Sequence, residues 1–331
     1  MIGARALFIA LAAQIILAAP LVAQVEAPNV PATAPAAPQS NGITEDAPLV
    51  AGGKVDIITP HITDSDKLDL PCWNHATLVC EHDLPKWKPI MIGNYAIDMS
   101  PTKHVVMLFV AALLCLLVLV PAARAHARHT HAIGRPKGFA AGIEAMVLYI
   151  RQEVAIPNLG HHGEKYAPFI LTLFFFILFA NMLGLLPYMS TPTGNISVTL
   201  MLAMVTFVVV EIAGMRALGR KYVSTIIYWN KELPLYMRIP LALIMSPIEF
   251  IGKLTKPFAL TIRLFANMTA GHIVVLALIG LIFFFHNVIS GAPFIMAVLI
   301  MMLELFVALL QAFIFALLAA VFIGQIREAA H

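Results

Sequence analysis

The stretch that decides the fold runs from residue 246 to residue 272 and reads SPIEFIGKLTKPFALTIRLFANMTAGH. It lies within residues 235–285, an apolar stretch broken only by three prolines and a few polar residues. An ionisable side chain at the centre of a membrane helix costs roughly 2.5–3.5 kcal/mol, so each one is a candidate for function. The candidates here are Glu249, Lys253, Lys256, Arg263 and His272, with Asn267 as a polar companion.

The spacing of these residues predicts two polar stripes on two helices. Residues seven positions apart lie on one face of an α-helix. The first stripe consists of Glu249, Lys256 and Arg263, with Asn267 one turn further along. The second stripe lies on the last apolar stretch and consists of Glu304, Gln311 and Gln325. Two such stripes on otherwise apolar helices are what a buried ion path between the helices requires.

Arg263 has apolar residues on both sides and lies too far from either end of its stretch to reach water easily. Its guanidinium keeps its proton, so the side chain stays cationic and needs a carboxylate or water. A fixed positive charge lowers the pKa of a carboxylate brought near it, which suits a device that makes a passing acid release its proton. The alternative, from the pattern alone, is a permanent ion pair with Glu249 or Glu304.

His272 and Glu304 lie on the last two apolar stretches. A histidine–carboxylate pair can relay protons near neutral pH, whereas a single histidine is more often a satisfied core residue. His272 follows Arg263 by nine residues, which places it about 13 Å along the helix and roughly half a turn round. We therefore expect His272 to face a different neighbour from Arg263.

The composition indicates a membrane protein. Of the 331 residues, 60% are hydrophobic and 12% are charged, about half the charged share of a soluble domain. The net charge of +3, without a basic patch interleaved with aromatic residues, excludes a nucleic-acid partner. Five apolar runs reach the length of about 20 residues that crosses a bilayer. They are residues 104–123, 168–187, 196–215, 235–285 and 293–326.

Loop charges predict the topology. Residues 124–165 carry six Lys/Arg and three acids, and residues 216–238 carry five Lys/Arg and one acid. The turns at 188–195 and 286–292 carry no charge. The excess of positive charge on cytoplasmic loops places the two basic loops inside, the N-terminus outside and the C-terminus inside. Two spans within residues 235–285 would reverse the C-terminus, so the charge pattern favours one long, inclined helix there.

The first basic loop and the N-terminal segment lie outside these spans. Residues 139–155 place Phe139, Ile143, Met146, Val147, Ile150 and Val154 on one face, which predicts an amphipathic helix on the membrane surface.

Residues 1–23 have the charge, apolar core and small-residue end of a signal peptide. The alternatives are an uncleaved span or an organellar presequence. Residues 24–94, first Ala/Pro-rich and then acidic, are predicted to be extracytoplasmic, and residues 95–331 to form the membrane domain.

Cysteines and histidines of the acidic segment leave two interpretations open. Cys72, His75, Cys80 and His82 offer four groups for a zinc ion, but their spacing matches no established finger. A disulfide between Cys72 and Cys80 is an equal alternative in an oxidising compartment. We predict no metal and no cofactor, and the chain contains no G-x-x-x-x-G-K-[ST] nucleotide loop.

Several stretches resemble the F-type ATP synthase subunit a family. They are PIEFIGKLTKPFALTIRLFANMTAGH, LELFVALLQAFIFALL, TKHVVM and ANMLGLLPYMSTPTGNISVTLMLA. The resemblance spans about residues 95–328, so residues 1–94 carry no family information. It implies an all-α polytopic membrane protein with about five membrane helices and one interfacial helix, the last two membrane helices being long and inclined against a rotor ring.

The resemblance also implies roles for six residues. Arg263 matches the essential arginine that faces the ring carboxylate, Asn267 the asparagine one turn on, and Gln311 the glutamine facing that arginine. Glu249 matches the acid of the cytoplasmic path, and His272 and Glu304 match the pair of the outer path, in the reverse order of some members. The partners implied are the c-subunit ring, the b-subunit stalk and membrane lipids.

The implied function is that of a non-catalytic, proton-translocating stator subunit in a bacterial inner membrane, with a mitochondrial inner membrane as the alternative. One rival is a secondary proton-coupled transporter, which is expected to show internal repeats, and the sequence shows none. A non-transporting anchoring protein is a second rival. It leaves the intramembrane charges without a purpose.

Overall fold

The computed structural model describes twelve segments of the chain. They are residues 50–51, 54–55, 64–74, 77–87, 90–92, 95–97, 100–129, 138–160, 163–186, 189–225, 234–285 and 290–328. The signal peptide at 1–23, nearly all of the Ala/Pro-rich stretch and His75 lie outside these segments. The assignments made there, like the division at residue 95, stay predictions.

Five helices are long and apolar enough to cross a membrane, which confirms the all-α polytopic fold class. The α-helices are α1 (Lys103–His129), α2 (Phe139–Tyr149), α3 (Ile156–Leu159), α4 (Ala167–Gly184), α5 (Ile196–Leu218), α6 (Leu235–Phe284) and α7 (Gly291–Glu328). The membrane-length helices are α1, α4, α5, α6 and α7. Short 3₁₀ helices occur at Glu164–Tyr166, Pro192–Gly194 and Gly219–Thr225.

The long apolar stretch forms one helix, as the charge pattern predicts. Helix α6 continues for 50 residues through Pro240, Pro247 and Pro257. At a rise of 1.5 Å per residue it is about 75 Å long, against a hydrocarbon core of about 30 Å. A helix of this length must be strongly tilted away from the bilayer normal or must extend well beyond the bilayer.

Helix α4 is the centre of the bundle. It is apolar around its whole circumference, and twelve of its eighteen residues are buried, which is the pattern of a helix enclosed by neighbours. It packs against α7 and α1. Helix α7 presents a row of small residues with no exposed surface, which lets the helices approach closely. This row consists of Ala308, Ala312, Ala316, Ala319 and Ala320.

The interfacial segment is helical, but it is not one regular α-helix. A π-helix from Ile150 to Ala155 separates α2 from α3, and the Ile156 N–H donates to the Arg151 carbonyl five residues back. Ile143, Ile150 and Val154 are buried as expected, whereas Phe139 is 75% exposed. In the wider π turn, Ala155 is buried together with its neighbour Val154. A prediction that assumes a constant 3.6 residues per turn does not include this burial.

Short antiparallel hairpins precede the first membrane helix. Their strands are β1 (Val50–Ala51), β2 (Lys54–Val55), β3 (Lys67–Asn74), β4 (Thr77–Asp83), β5 (Ile90–Ile92) and β6 (Tyr95–Ile97), paired in that order. The sequence pattern did not predict these hairpins.

The two cysteines of the acidic segment lie on neighbouring strands. Cys72 lies in β3, and Cys80 in β4 lies opposite Leu70. The described residues contain no group of three metal-capable side chains, and the disulfide stays a prediction.

The contact between α7 and α3 predicts a stability difference between two identical substitutions. A Cβ atom at Gly324 would collide with the Asn158 carbonyl oxygen, whereas a Cβ at Gly280 meets nothing within 4 Å. We expect Gly324→Ala to lower the free energy of unfolding by about 1–3 kcal/mol through overpacking. Gly280→Ala should leave it unchanged or raise it by up to about 1 kcal/mol. Denaturation in mixed detergent micelles measures both, and equal effects would contradict the packing described.

Candidate functional site

The two predicted polar stripes meet between α6 and α7. The Asn267 side-chain amide donates a 2.9 Å hydrogen bond to the Gln311 side-chain oxygen. Gln311 is buried, with 3% of its surface exposed. Asn267 lies one turn beyond Arg263, so this bond fixes the register of the two helices beside the arginine. The described structure places Gln311 in contact with Asn267 and gives it no hydrogen bond to Arg263.

Arg263 lies on the outer surface of α6. Leu260, Leu264 and Met268 are buried on an adjoining side of the helix and anchor it in the bundle. Arg263 itself is exposed, and within the described residues it makes no hydrogen bond or ion pair. The alternative of a permanent ion pair with Glu249 or Glu304 therefore finds no support in the structure. A guanidinium in this position has to be neutralised from outside the described chain.

The outward surface of α6 and α7 near Arg263 is mostly apolar. Exposed large residues lie before Arg263 on α6, and on α7 they lie around Glu304 and before Gln311, on the side toward His272. They include Phe258 and Ile262 on α6, and Leu303, Phe306 and Leu310 on α7. We call these five residues and Arg263 the α6–α7 outer face. Because lipid alone would favour an all-apolar surface, the arginine indicates that this face meets something other than lipid.

Glu249 lies about 21 Å from Arg263 along α6, fourteen residues nearer its N-terminus. It is exposed and lines a cavity of about 260 Å³ between α5, α6 and α7. The same cavity is lined by Glu211, Lys253, Lys256 and Gln325. A cavity of this volume that is lined by several charged and polar side chains has room for water molecules. Glu249 therefore lies beside a space that can hold water.

A charged network borders this cavity. Lys253 Nζ lies 3.4 Å from Glu211 Oε2 and donates to Thr225 Oγ1 at 3.0 Å. Lys256 Nζ donates to Gln325 Oε1 at 3.4 Å. Glu211 is not among the residues predicted from the sequence, although it is an ionisable residue inside a predicted span. The rule that marks the ionisable residues of α6 as functional candidates applies to Glu211 as well.

His272 and Glu304 come together on the other side of Arg263. His272 Nδ1 lies 3.6 Å from Glu304 Oε1, and Glu304 is 5% exposed. Added Cβ atoms at two glycines would press on the pair: one at Gly271 would lie 2.9 Å from Glu304 Oε1, and one at Gly184 would lie 2.7 Å from His272 Nε2. His272 thus packs against α4, which agrees with the expectation that it faces a different neighbour from Arg263.

A buried polar cluster lies beside this pair, in the turn between α4 and α5. The sequence pattern predicted only that this turn carries no charge, and it did not predict the cluster. Thr193 Oγ1 donates to Asn181 Oδ1 at 2.7 Å, and Asn181 Nδ2 donates to the Ala308 carbonyl at 3.3 Å. Thr191 Oγ1 lies 2.8 Å from Thr193 Oγ1. Hydroxyl and amide groups therefore reach from this turn toward α7, one turn from Glu304.

The arrangement consists of two separate polar regions with a cation between them along α6. One region is the cavity beside Glu249, and the other contains His272 and Glu304. Neither acid pairs with Arg263 in the described structure.

The sequence matches the ATP synthase A chain family over residues 104–324. ATP synthase subunit a of Anaeromyxobacter dehalogenans is 42% identical over 277 residues, which are 81% of this chain and 69% of that protein. ATP synthase subunit a 2 of Chlorobaculum tepidum is 48% identical over 231 residues, 69% of this chain and 63% of that protein. ATP synthase subunit a 2 of Chlorobium luteolum is 42% identical over 312 residues, 93% of this chain and 84% of that protein.

The alignment with the Chlorobium luteolum protein corrects the boundary of the resemblance. It leaves only about 23 residues of the chain unaligned, so most of residues 1–94 lie within it. The expectation that residues 1–94 carry no family information is therefore wrong. Similarity there extends to the segment that forms the hairpins before α1.

The bond between Asn267 and Gln311 predicts a measurable coupling. We expect Asn267→Ala and Gln311→Ala to destabilise the chain individually, and the double variant to cost less than their sum by about 0.5–1.5 kcal/mol. The same cycle with Asn267→Ala and Gln325→Ala is the matched control, because Gln325 lies far along α7 and should add independently. Unfolding in mixed micelles measures each free energy. Strict additivity for the first pair would contradict the contact.

Proposed function

Because the chain belongs to the ATP synthase A chain family, we propose that it is the proton-translocating stator subunit of an F-type ATP synthase. In this proposal it provides two offset half-channels to the carboxylates of a c-subunit ring. Rotation of the ring couples proton flow to ATP synthesis at catalytic sites on other subunits. The chain itself is a multi-pass membrane subunit with no catalytic role.

The observation that carries the proposal is the environment of Arg263. It is exposed on the α6–α7 outer face and has no anionic partner within the described residues. The cost of a cation there is removed if a carboxylate on the ring approaches it. Arg263 then favours the deprotonated form of that carboxylate and repels a proton that would cross directly between the half-channels.

Glu249 and its cavity serve as the inner half-channel in this proposal. The cavity lies in the N-terminal half of α6, the end near which the basic loops are predicted to face the cytoplasm. A ring carboxylate that reaches this side releases its proton toward Glu249. Lys253 and Lys256 line the same cavity.

His272 and Glu304 serve as the last relay of the outer half-channel. Their side chains are 3.6 Å apart, close enough for one small displacement or one water to pass a proton between them. A proton delivered to the ring carboxylate neutralises it and allows that site to move away from Arg263 into lipid. Each charge that crosses 100 mV supplies about 2.3 kcal/mol, which is the energy source for rotation.

The partners and location follow from the same proposal. The α6–α7 outer face meets the c-subunit ring, the b-subunit stalk holds the chain against rotation, and lipid covers the remaining apolar surface. The loop charges place the N-terminus in the periplasm and the C-terminus in the cytoplasm of a bacterial inner membrane. A mitochondrial inner membrane is the alternative location.

A secondary proton-coupled transporter is the rival function, and one measurement separates the two. A transporter works as an isolated chain, whereas a stator subunit needs the ring to complete its path. We therefore expect the purified chain in liposomes to show no solute-coupled proton uptake, and the assembled complex to pump protons when ATP is added. Solute-coupled uptake by the chain alone would support the transporter.

Removal of the Arg263 charge is the direct test. We expect Arg263→Ala to abolish ATP-driven proton pumping in inverted vesicles, because nothing then separates the half-channels or discharges the ring carboxylate. Arg151→Ala is the matched control, since Arg151 is exposed on the interfacial π-helix and belongs to neither of the helices that form the outer face. It should leave pumping unchanged. Both variants are compared at equal amounts of assembled complex, and pumping by Arg263→Ala would refute the proposal.

A further inference from the structure

A histidine–carboxylate pair lies where the hairpin segment meets the first membrane helix. Asp64 Oδ1 lies 2.8 Å from His104 Nδ1 and accepts a 3.3 Å hydrogen bond from the His104 backbone N–H. The Asp64 side chain is 23% exposed and that of His104 is 1% exposed. One end of the pair therefore contacts solvent, and the other is buried at the start of α1.

Asp64 also joins the ends of two other segments. The Asn195 side-chain amide lies 3.5 Å from Asp64 Oδ2, while Asn195 Oδ1 caps α5 by accepting from the Ser197 N–H at 2.9 Å. The Lys103 N–H donates to the Ser65 carbonyl at 3.0 Å. The hairpin segment is thus held against α1 and α5 at the level of the turn between α4 and α5.

Buried hydroxyl groups continue inward from His104. His104 Nε2 lies 3.4 Å from Ser190 Oγ, and Ser190 is followed directly by Thr191. Thr191 Oγ1 is within hydrogen-bond distance of Thr193 Oγ1 and of the Ala180 carbonyl. The Thr193 hydroxyl donates to Asn181, which leaves its oxygen able to accept from Thr191. Ser190, Thr191 and Thr193 are at most 6% exposed.

This chain of polar groups ends beside His272. A Cβ atom at Gly184 would touch both the Thr191 Cβ and His272 Nε2, so the two side chains lie against the same point of α4. Thr269, one turn before His272, has its hydroxyl 3.5 Å from the Gly194 carbonyl in the same turn. The polar groups of the turn therefore reach the helix face that carries the His272–Glu304 pair.

We propose that Asp64 and His104 collect protons at the outer surface and pass them through Ser190 and Thr191 to His272 and Glu304. This inference rests on the proposed function and deepens it, because it assigns the beginning of the outer path to the segment before α1. Asp64 and His104 bind the proton at the surface. Thr193 and Asn181 position the Thr191 hydroxyl.

The charges around the pair favour this role. The turn between α4 and α5 contributes no charged residue to the described structure, so the N-terminal segment supplies the acid. On that segment Asp66 pairs with Lys86 at 2.7 Å on the surface, and on α1 the buried Lys103 lies next to His104. Burial raises the pKa of the Asp64 carboxyl, but the hydrogen bonds from His104 and Thr102 and the charge of His104 together bring it below its usual value. Asp64 therefore presents a carboxylate at neutral pH, 2.8 Å from His104 Nδ1.

The proton steps balance along the path. A proton from solvent binds His104, and the Nε2–H passes a proton to Ser190 Oγ. Ser190 gives its own proton to Thr191, and Thr191 gives its proton onward to His272. Each hydroxyl gains one proton and loses one, so no charge stays in the turn. Neither the step from Ser190 to Thr191 nor the step from Thr191 to His272 has a direct hydrogen bond in the described structure, so each of them needs a bridging water.

The test measures ATP synthesis in right-side-out vesicles as the outer pH is varied. We expect Asp64→Asn to shift the half-maximal outer pH about one unit toward acid, because the anion that attracts protons to the start of the path is lost. Synthesis at acid outer pH should approach that of the unmodified complex, and Asp64→Glu should restore the profile. Asp66→Asn is the matched control and should leave the profile in place. The proposal would be overturned if the pH profile of Asp64→Asn coincided with that of the unmodified complex. It would also be overturned if Asp64→Asn lowered ATP synthesis by the same factor at every outer pH.

Thr191→Val provides a second test that keeps the shape of the turn. We expect several-fold slower synthesis at every outer pH without a shift of the half-maximal value, because the hydroxyl step is removed. An unchanged rate would contradict the path. Arg263→Ala in the same vesicles separates the two levels of inference. If Arg263→Ala abolishes ATP synthesis while the Asp64 and Thr191 variants synthesise ATP like the unmodified complex, only the path through Asp64 and His104 is wrong. If Arg263→Ala still synthesises ATP, the proposed function itself is wrong.

Discussion

The organisation of this membrane domain depends on one guanidinium group that the described chain does not neutralise. Arg263 lies on an apolar face, and neither Glu249 nor Glu304 pairs with it. A cation in such surroundings is costly unless an anion arrives from outside. The rest of the architecture is compatible with that requirement, because the two acids lie on opposite sides of the arginine along the helix.

Tight packing on the inner side of α6 and α7 keeps the outer face in place. Leu260, Leu264 and Met268 are buried on the side of α6 next to Arg263, and the bond from Asn267 to Gln311 sets the helix register. The alanine row of α7 brings that helix close to its neighbours. A fixed charge can act on a moving group only if its own position is well determined.

The two polar regions differ in their chemistry. The region at Glu249 is a cavity large enough for water and is bordered by lysines with their own partners. Near Glu304, histidine, hydroxyl and amide groups lie close together, and several of them are buried. Water tolerates variable geometry, whereas hydroxyl groups can pass a proton only if each is in position. The hydrogen bonds within the turn between α4 and α5 are compatible with the path that we propose there.

The sequence by itself determined the five apolar stretches and the positions of the intramembrane charges, because hydropathy and helical period are local properties. Its loop charges favoured one helix over two spans in residues 235–285, and the structure shows a single helix there. The sequence left open whether Arg263 is paired, and it overlooked the partner of Lys253. Only the tertiary structure decided that Glu211 meets Lys253, that His272 rests on Gly184, and that the hairpin segment reaches α1. Those contacts join residues far apart in the chain, and their formation depends on how the helices pack rather than on any local pattern.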